Sequence, residues 1–467
     1  MMPVDRRAFL SASAITALTV SGASWAARAG ASPILPTQMP APQTGVRLDP
    51  RAFGAKGDGR AKDTPAVQQA LDRCAVLGGG EVVLAGGVFR VGSLRIGSNT
   101  SMRIEKDAVL KGSDDLADYP VIQVRWEGRW ISGHAALLWA QDARNIRLTG
   151  GGRIISSSAF AGRIAPSGLR HPALLEWIEV RGLTVSDLST EQGDMWSIHP
   201  VYCEDASFSR LLVHGGADGI DIDSCRRVLV EGCSFDTADD CISLKSGRGM
   251  EGATIARPTE DVTIRDCIFR DSRWACIGIG SETSGGIRNV LVERCRFEQA
   301  YTFSIYIKSR PGRGAFIEHI TMRDLEVTQA GQGFLRLNFL DSGKQDQVPV
   351  PGLEGIPRVG GFIFERVNIR SVPILVDGVN IHPDKPLSGF VLRDLHGVSE
   401  RGIALANMRD VSLENISVKV SKGPLLTLAH VTGKGLEGAV TGKDVPRPAD
   451  VQTTMPFQLG MDAGRPN

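Results

Sequence analysis

One eight-residue pattern recurs along the chain and restricts what it can fold into more than any other feature. VLVEGCSF at Val228 returns as VTIRDCIF at Val262 and VLVERCRF at Val290, with apolar residues at the first, third, sixth and eighth places. Weaker copies begin at Ile146, Ile178, Ala206, Ile320, Val367, Phe390 and Val411. The interval between starts varies from 21 residues (390 to 411) to 47 (320 to 367). Each unit holds short stretches of alternating polarity separated by Gly, Asp, Asn or Ser, the signature of short strands joined by tight turns. A parallel β-helix accounts for so irregular a period: its coils stack in register at about 4.8 Å while loops of any length leave the corners. A propeller would require a steadier blade length and antiparallel hairpins. The expectation is an all-β, single-domain parallel β-helix of about ten coils. The helical segment from Asp63 to Cys74, with Ala66, Ala70 and Leu71 on one side, is expected to cap its open first coil.

Composition agrees with many tight turns. The 467 residues include 54 Gly and only 6% aromatics. A formal net charge of +1 provides no global field for nucleic acid. Arg6 and Arg7 precede a modest apolar run and small residues ending at Ala27-Arg28-Ala29, so residues 1–29 read as a twin-arginine-type export signal. The expected destination is the bacterial periplasm or exterior. A Pro-rich linker (30–50), the β-helix domain (51–425) and a C-terminal tail (426–467), packed on the helix or partly disordered, complete the expected organisation. No membrane span is expected, and the chain is expected to be a monomer. Of the eight cysteines, Cys233, Cys267 and Cys295 occupy the same repeat position and read as small buried residues rather than bridges. There is no CxxC pair, and no metal or cofactor is expected.

Counting from the repeat starts brings acidic residues together. Asp240 lies twelve residues after Val228 and Asp218 twelve after Ala206, so the two fall at equivalent places on neighbouring coils, with Asp239 alongside. Clustered carboxylates repel, and at least one should retain its proton near neutral pH. A proton donor beside proton acceptors is what glycosidic hydrolysis requires. Each acid alone would read as a turn former, as in Asp218-Gly219. Asp221 and Asp223 are alternative metal ligands, although a calcium loop would need a denser oxygen set.

ADGIDIDSCRRVLVEGCSFDTADDCISLKSG (217–247), IGIGSETSGGIRNV (277–290) and YIKSRPGRG (306–314) together resemble glycoside hydrolase family 28, the polygalacturonase family. The resemblance runs from FGAKGDG at Phe53, through RWEG at Arg125, to about Val418. It implies a right-handed parallel β-helix that hydrolyses α-linked galacturonans with inversion, using three acids and no metal. It assigns Asp239 as general acid and Asp218 with Asp240 as the pair activating water. Two positions depart from the family. Its His is replaced by Trp274, twelve residues after Val262 and so expected next in the column beyond Asp240. Its Arg-Ile-Lys becomes Tyr306-Ile307-Lys308. Trp274 and Tyr306 are candidates for an aromatic platform under a sugar ring. Lys308 is a candidate uronate ligand, or else offsets the acids as Lys245 is expected to do. Glu282 lies in a Gly-rich loop that borders the cleft in exo-acting relatives. The expected partner is a polysaccharide or oligosaccharide. The alternatives are a hydrolase for another glycan such as rhamnogalacturonan, a lyase on the same fold, and an inactive carbohydrate-binding β-helix.

Overall fold

A computed structural model describes residues 32–37, 45–452 and 457; the expected export signal lies outside the described residues. The chain winds into one continuous system of 31 strands. The strong repeats stack in the register their pattern predicts, with Ala206 opposite Val228, Val228 opposite Val262 and Val262 opposite Val290, all in parallel. This is the expected β-helix. The apolar places point inward: Val228, Val230, Cys233 and Phe235 are buried, and Phe235, Phe269 and Phe297 stack with ring centres 5.4 and 4.9 Å apart. Burying each such ring contributes roughly 2–3 kcal/mol. Stacking like on like is therefore what holds one coil to the next.

Two weak copies are displaced. The register partner of Ala206 is Leu183, not Ile178, and that of Ile320 is Phe362, not Val367. Val367 lies opposite Leu325, the sixth place of its unit. Apolar alternation continues through each corner, so an eight-residue pattern can be read one strand early or late.

The corners explain the Asp, Asn and Gly between strands. One corner column is held in the left-handed region, at Asp187, Arg210, Asp266, Arg294, Asp324 and Arg366, with φ between 53 and 59°. Asp and Asn tolerate that conformation better than most residues. The column also pairs charge: Arg210 forks onto Asp187, Arg294 onto Asp266 and Arg366 onto Asp324, at 2.6 to 3.0 Å.

The helix Thr64–Val76 caps the first coils through Ala66, Val67, Ala70, Leu71 and Cys74. The stack begins earlier than residue 51, because Arg47–Leu48 pairs with Gly80–Leu84. It also runs past 425: Leu426–Lys434 pairs with the preceding coil and Val440–Thr441 pairs with it in turn. Unpaired strand edges supply the reason, since each flanking segment that can add a strand satisfies edge hydrogen bonds.

One coil carries an extra residue. Phe235 lies opposite Phe269, but Asp236 lies opposite Asp271, so Arg270 is bulged out. Beyond it the offset grows by one, and Ile242 faces Ile277. A hairpin, Val121–Trp126 with Arg129–His134, leaves the stack and reaches over later coils, where Gly128 O accepts Arg248 N at 3.1 Å.

Candidate active site

The strands Ile220–Asp223, Ile242–Lys245, Ile277–Ile279 and Phe303–Lys308 form one column, and the corners just before them carry the acids. Asp218 and Asp240 each stand two residues before the facing pair Ile220 and Ile242, so they are equivalent neighbours, as the count predicted. Both are buried. Ser243 Oγ lies 3.3 Å from Asp218 Oδ2 and 3.0 Å from Asp240 Oδ2, linking the two carboxylates. Gly278, opposite Ser243 on the next coil, makes room for this arrangement, because a Cβ there would collide with Asp240 Oδ2.

Each buried carboxylate has its own lysine. Lys245 Nζ contacts Asp218 Oδ2 at 3.0 Å and also pairs with Asp221, with its ammonium 4.0 Å from the centre of the Trp196 ring. Lys308 Nζ contacts Asp240 Oδ2 at 3.0 Å. Burial alone would raise the Asp218 pKa, but the Lys245 ammonium outweighs it and holds the carboxyl at about 2. Burial and the adjacent Asp218 charge push Asp221 well above the usual carboxylate range. Of this pair, Asp218 is the more readily ionised. Asp223 is engaged elsewhere, by Arg125 Nε at 3.2 Å and Ser224 Oγ at 2.8 Å.

Asp239 has a different environment. Its side chain is 30% exposed, and burial together with the charges of Asp218 and Asp240 raises its pKa to about 6, against the pull of Arg163. Arg163 Nη2 meets its Oδ2 at 2.7 Å. One corner therefore holds a carboxyl able to keep a proton near pH 6 beside a carboxylate that stays ionised, the division of labour that acid and base catalysis needs.

The bulge at Arg270 changes the place of Trp274. Ala275, not Trp274, stands two residues before Ile277 and so extends the column of Asp240; Ala275 N donates to Asp240 Oδ1 at 3.1 Å. Trp274 lies beyond Asp239, with 44% of its surface exposed. Tyr306 does not join it in an open platform. The residue is only 9% exposed, its ring lies near Lys308 and Arg336, and its hydroxyl is within reach of Asn338 Nδ2 (3.3 Å) and Ser342 Oγ (3.4 Å). Asn338, the last residue of the next strand, and Ser342 just after it lie against it. Glu282 is buried, and the Lys245, Arg313 and Arg248 charges hold its pKa low despite burial. Ser243 and Arg163 carry no sequence signal of their own: one is an ordinary strand serine, and the other comes from a loop 76 residues away from Asp239.

The model of Glycosyl hydrolases family 28 matches residues 99–341, over half the chain and all of this corner. The chain belongs to that family. It is a family 28 glycoside hydrolase. A probable polygalacturonase of Vitis vinifera is 28% identical over 398 residues, covering 80% of this chain and 79% of the relative. An exo-poly-alpha-D-galacturonosidase of Dickeya chrysanthemi is 26% identical over 334 residues, 58% of this chain and 53% of that enzyme. The fold matches that of an exopolygalacturonase from Thermotoga maritima with a TM-score of 0.67 at 21% identity, covering 81% of this chain and 94% of the other.

Proposed function

We propose that this family 28 hydrolase cleaves an α-linked, galacturonate-containing glycan with inversion, with Asp239 donating a proton to the leaving oxygen and Asp218 and Asp240 activating water. The observation that carries this reading is the meeting of three carboxyls at one corner in unlike surroundings: Asp218 and Asp240 are buried, each against a lysine, while Asp239 is partly exposed beside Arg163, where burial and its acidic neighbours raise its pKa. The other two candidate ligands, Lys308 and Trp274, border the acids, Lys308 as a cation for a uronate and Trp274 as an exposed ring beyond Asp239.

Action from a chain end fits the loops that follow the column strands. Arg248 joins Asp346 at 2.8 Å and Glu127 at 3.2 Å, and Arg313 joins Asp346 at 3.2 Å. The hairpin carrying Glu127, the helix Gly249–Ile255 and the loop carrying Asp346 are thus tied into one wall. A wall at one end of a cleft would suit a terminal sugar better than an open groove does. In this reading residues 1–29 direct export and the remainder works outside the cytoplasm as a monomer. Because Tyr306 replaces the family Arg, a substituted galacturonan or rhamnogalacturonan is the second candidate substrate.

The test is release of reducing ends from galacturonan and rhamnogalacturonan fragments. We expect monomer to appear first, the kcat/KM profile to fall above about pH 6, and Asp239→Asn to lose at least a hundredfold in rate. Undiminished turnover by Asp239→Asn would remove the acid assignment.

A further inference from the structure

Both carboxylate oxygens of the proposed acid are held by donors. Asp239 Oδ1 accepts the backbone N–H of Asp240 at 3.1 Å, and Oδ2 accepts Arg163 Nη2 at 2.7 Å. Ser272 Oγ and Thr237 Oγ1 both donate to its backbone carbonyl, at 2.9 and 2.8 Å. The residue is fixed from behind, and both carboxylate oxygens are occupied by donors. While the guanidinium holds it, Oδ2 is turned toward Arg163 and its ionised form is favoured over the protonated one that a glycosidic oxygen needs.

The backbone of Arg163 is anchored while its side chain is not. His171 N donates to Arg163 O at 3.0 Å, Gly162 N donates to Asp194 Oδ2 at 2.6 Å, and Ile164 bridges to Arg170. The Arg163 side chain is 38% exposed and meets a partly exposed carboxylate, a class of ion pair that contributes little in water. It can be drawn off by a better anion without unfolding the loop.

We propose that Arg163 is a uronate-recognising residue of this enzyme, distinct from Lys308, and that it works by exchange: the substrate carboxylate takes the guanidinium from Asp239, and Asp239 Oδ2, once released, takes up a proton from solvent to become the acid. Recognition of charge and loading of the acid are then one event. A neutral sugar gains neither. This rests on the assignment of Asp239 as acid. The other charges facing the pair are already engaged: Lys245 with Asp218 and Asp221, and Lys308 with Asp240. Arg163 is therefore the cation at this corner with an exposed, exchangeable partner. It is also the residue able to replace the Arg that Tyr306 displaces.

The experiment compares wild type, Arg163→Ala, Arg163→Lys and Asp239→Asn on trigalacturonate and on its methyl ester, across pH. We expect Arg163→Ala to raise KM for trigalacturonate by about ten- to a hundredfold, the range for a lost charge-assisted hydrogen bond, and to leave KM for the ester unchanged. Its kcat/KM profile should hold to higher pH than that of wild type, because the free acid no longer has the guanidinium beside it, while the kcat profile stays put. Arg163→Lys should fall between. An equal KM effect on both substrates, or a kcat/KM limb that does not move, overturns the exchange. Turnover retained by Asp239→Asn would instead refute the acid assignment on which it rests.

Discussion

At the scale of single residues, the active corner is a place where the fold accepts a cost. Asp239 ionises near 4 in an unfolded chain and at about 6 here, so its charged form is disfavoured by folding. The sign follows directly: below pH 4 the group is protonated in both states and the penalty vanishes, and above pH 6 it is fully present. Asp239→Asn should stabilise the protein by about 1–3 kcal/mol at pH 7, with the gain disappearing as pH falls through 4, as read from thermal unfolding across pH. The three acids were legible in the sequence because they sit at fixed steps from a repeat. Their partners were not. Arg163 approaches from a distant loop, and Ser243 matters only because Gly278 leaves space beside it, a relation between coils that no local pattern encodes.

At the scale of strands and coils, the phenylalanine stack carries cohesion from one coil to the next. Phe269 lies between Phe235 and Phe297, and is fully buried. Phe269→Ala should cost about 3–5 kcal/mol in chemical denaturation, since the cavity would open between two rings that cannot collapse onto each other. Repeat units with strong apolar signals gave their register correctly. The copies at Ile178 and Val367 slipped by one strand because both strands flanking a corner alternate in the same way. The bulge at Arg270 escaped notice for a different reason. Counting assumes constant spacing, and a single added residue, harmless to the core, moved Trp274 from the column of Asp240 to that of Asp239. If Asp239 is the acid, as proposed, a ring beside it rather than beside Asp218 and Asp240 would stand nearer the leaving group.

At the scale of the whole molecule, the solenoid buries all eight cysteines as free thiols. Burial, and neighbouring thiols in the stack, push Cys233, Cys267 and Cys276 well above the ordinary thiol range, so they are poor nucleophiles in the folded state. A thiol reagent should label the native protein only at the rate of unfolding and label all eight sites in denaturant; the melting temperature should be the same with and without reductant. The corner column of Asp and Arg has a further consequence. Its forks join each Arg to the Asp of the coil before it. If winding omitted the coil of Arg294, Asp266 would meet Asp324; if it omitted the coil of Asp324, Arg294 would meet Arg366. The charged column thus favours the observed order of coils, by up to about 1 kcal/mol for each exposed ion pair.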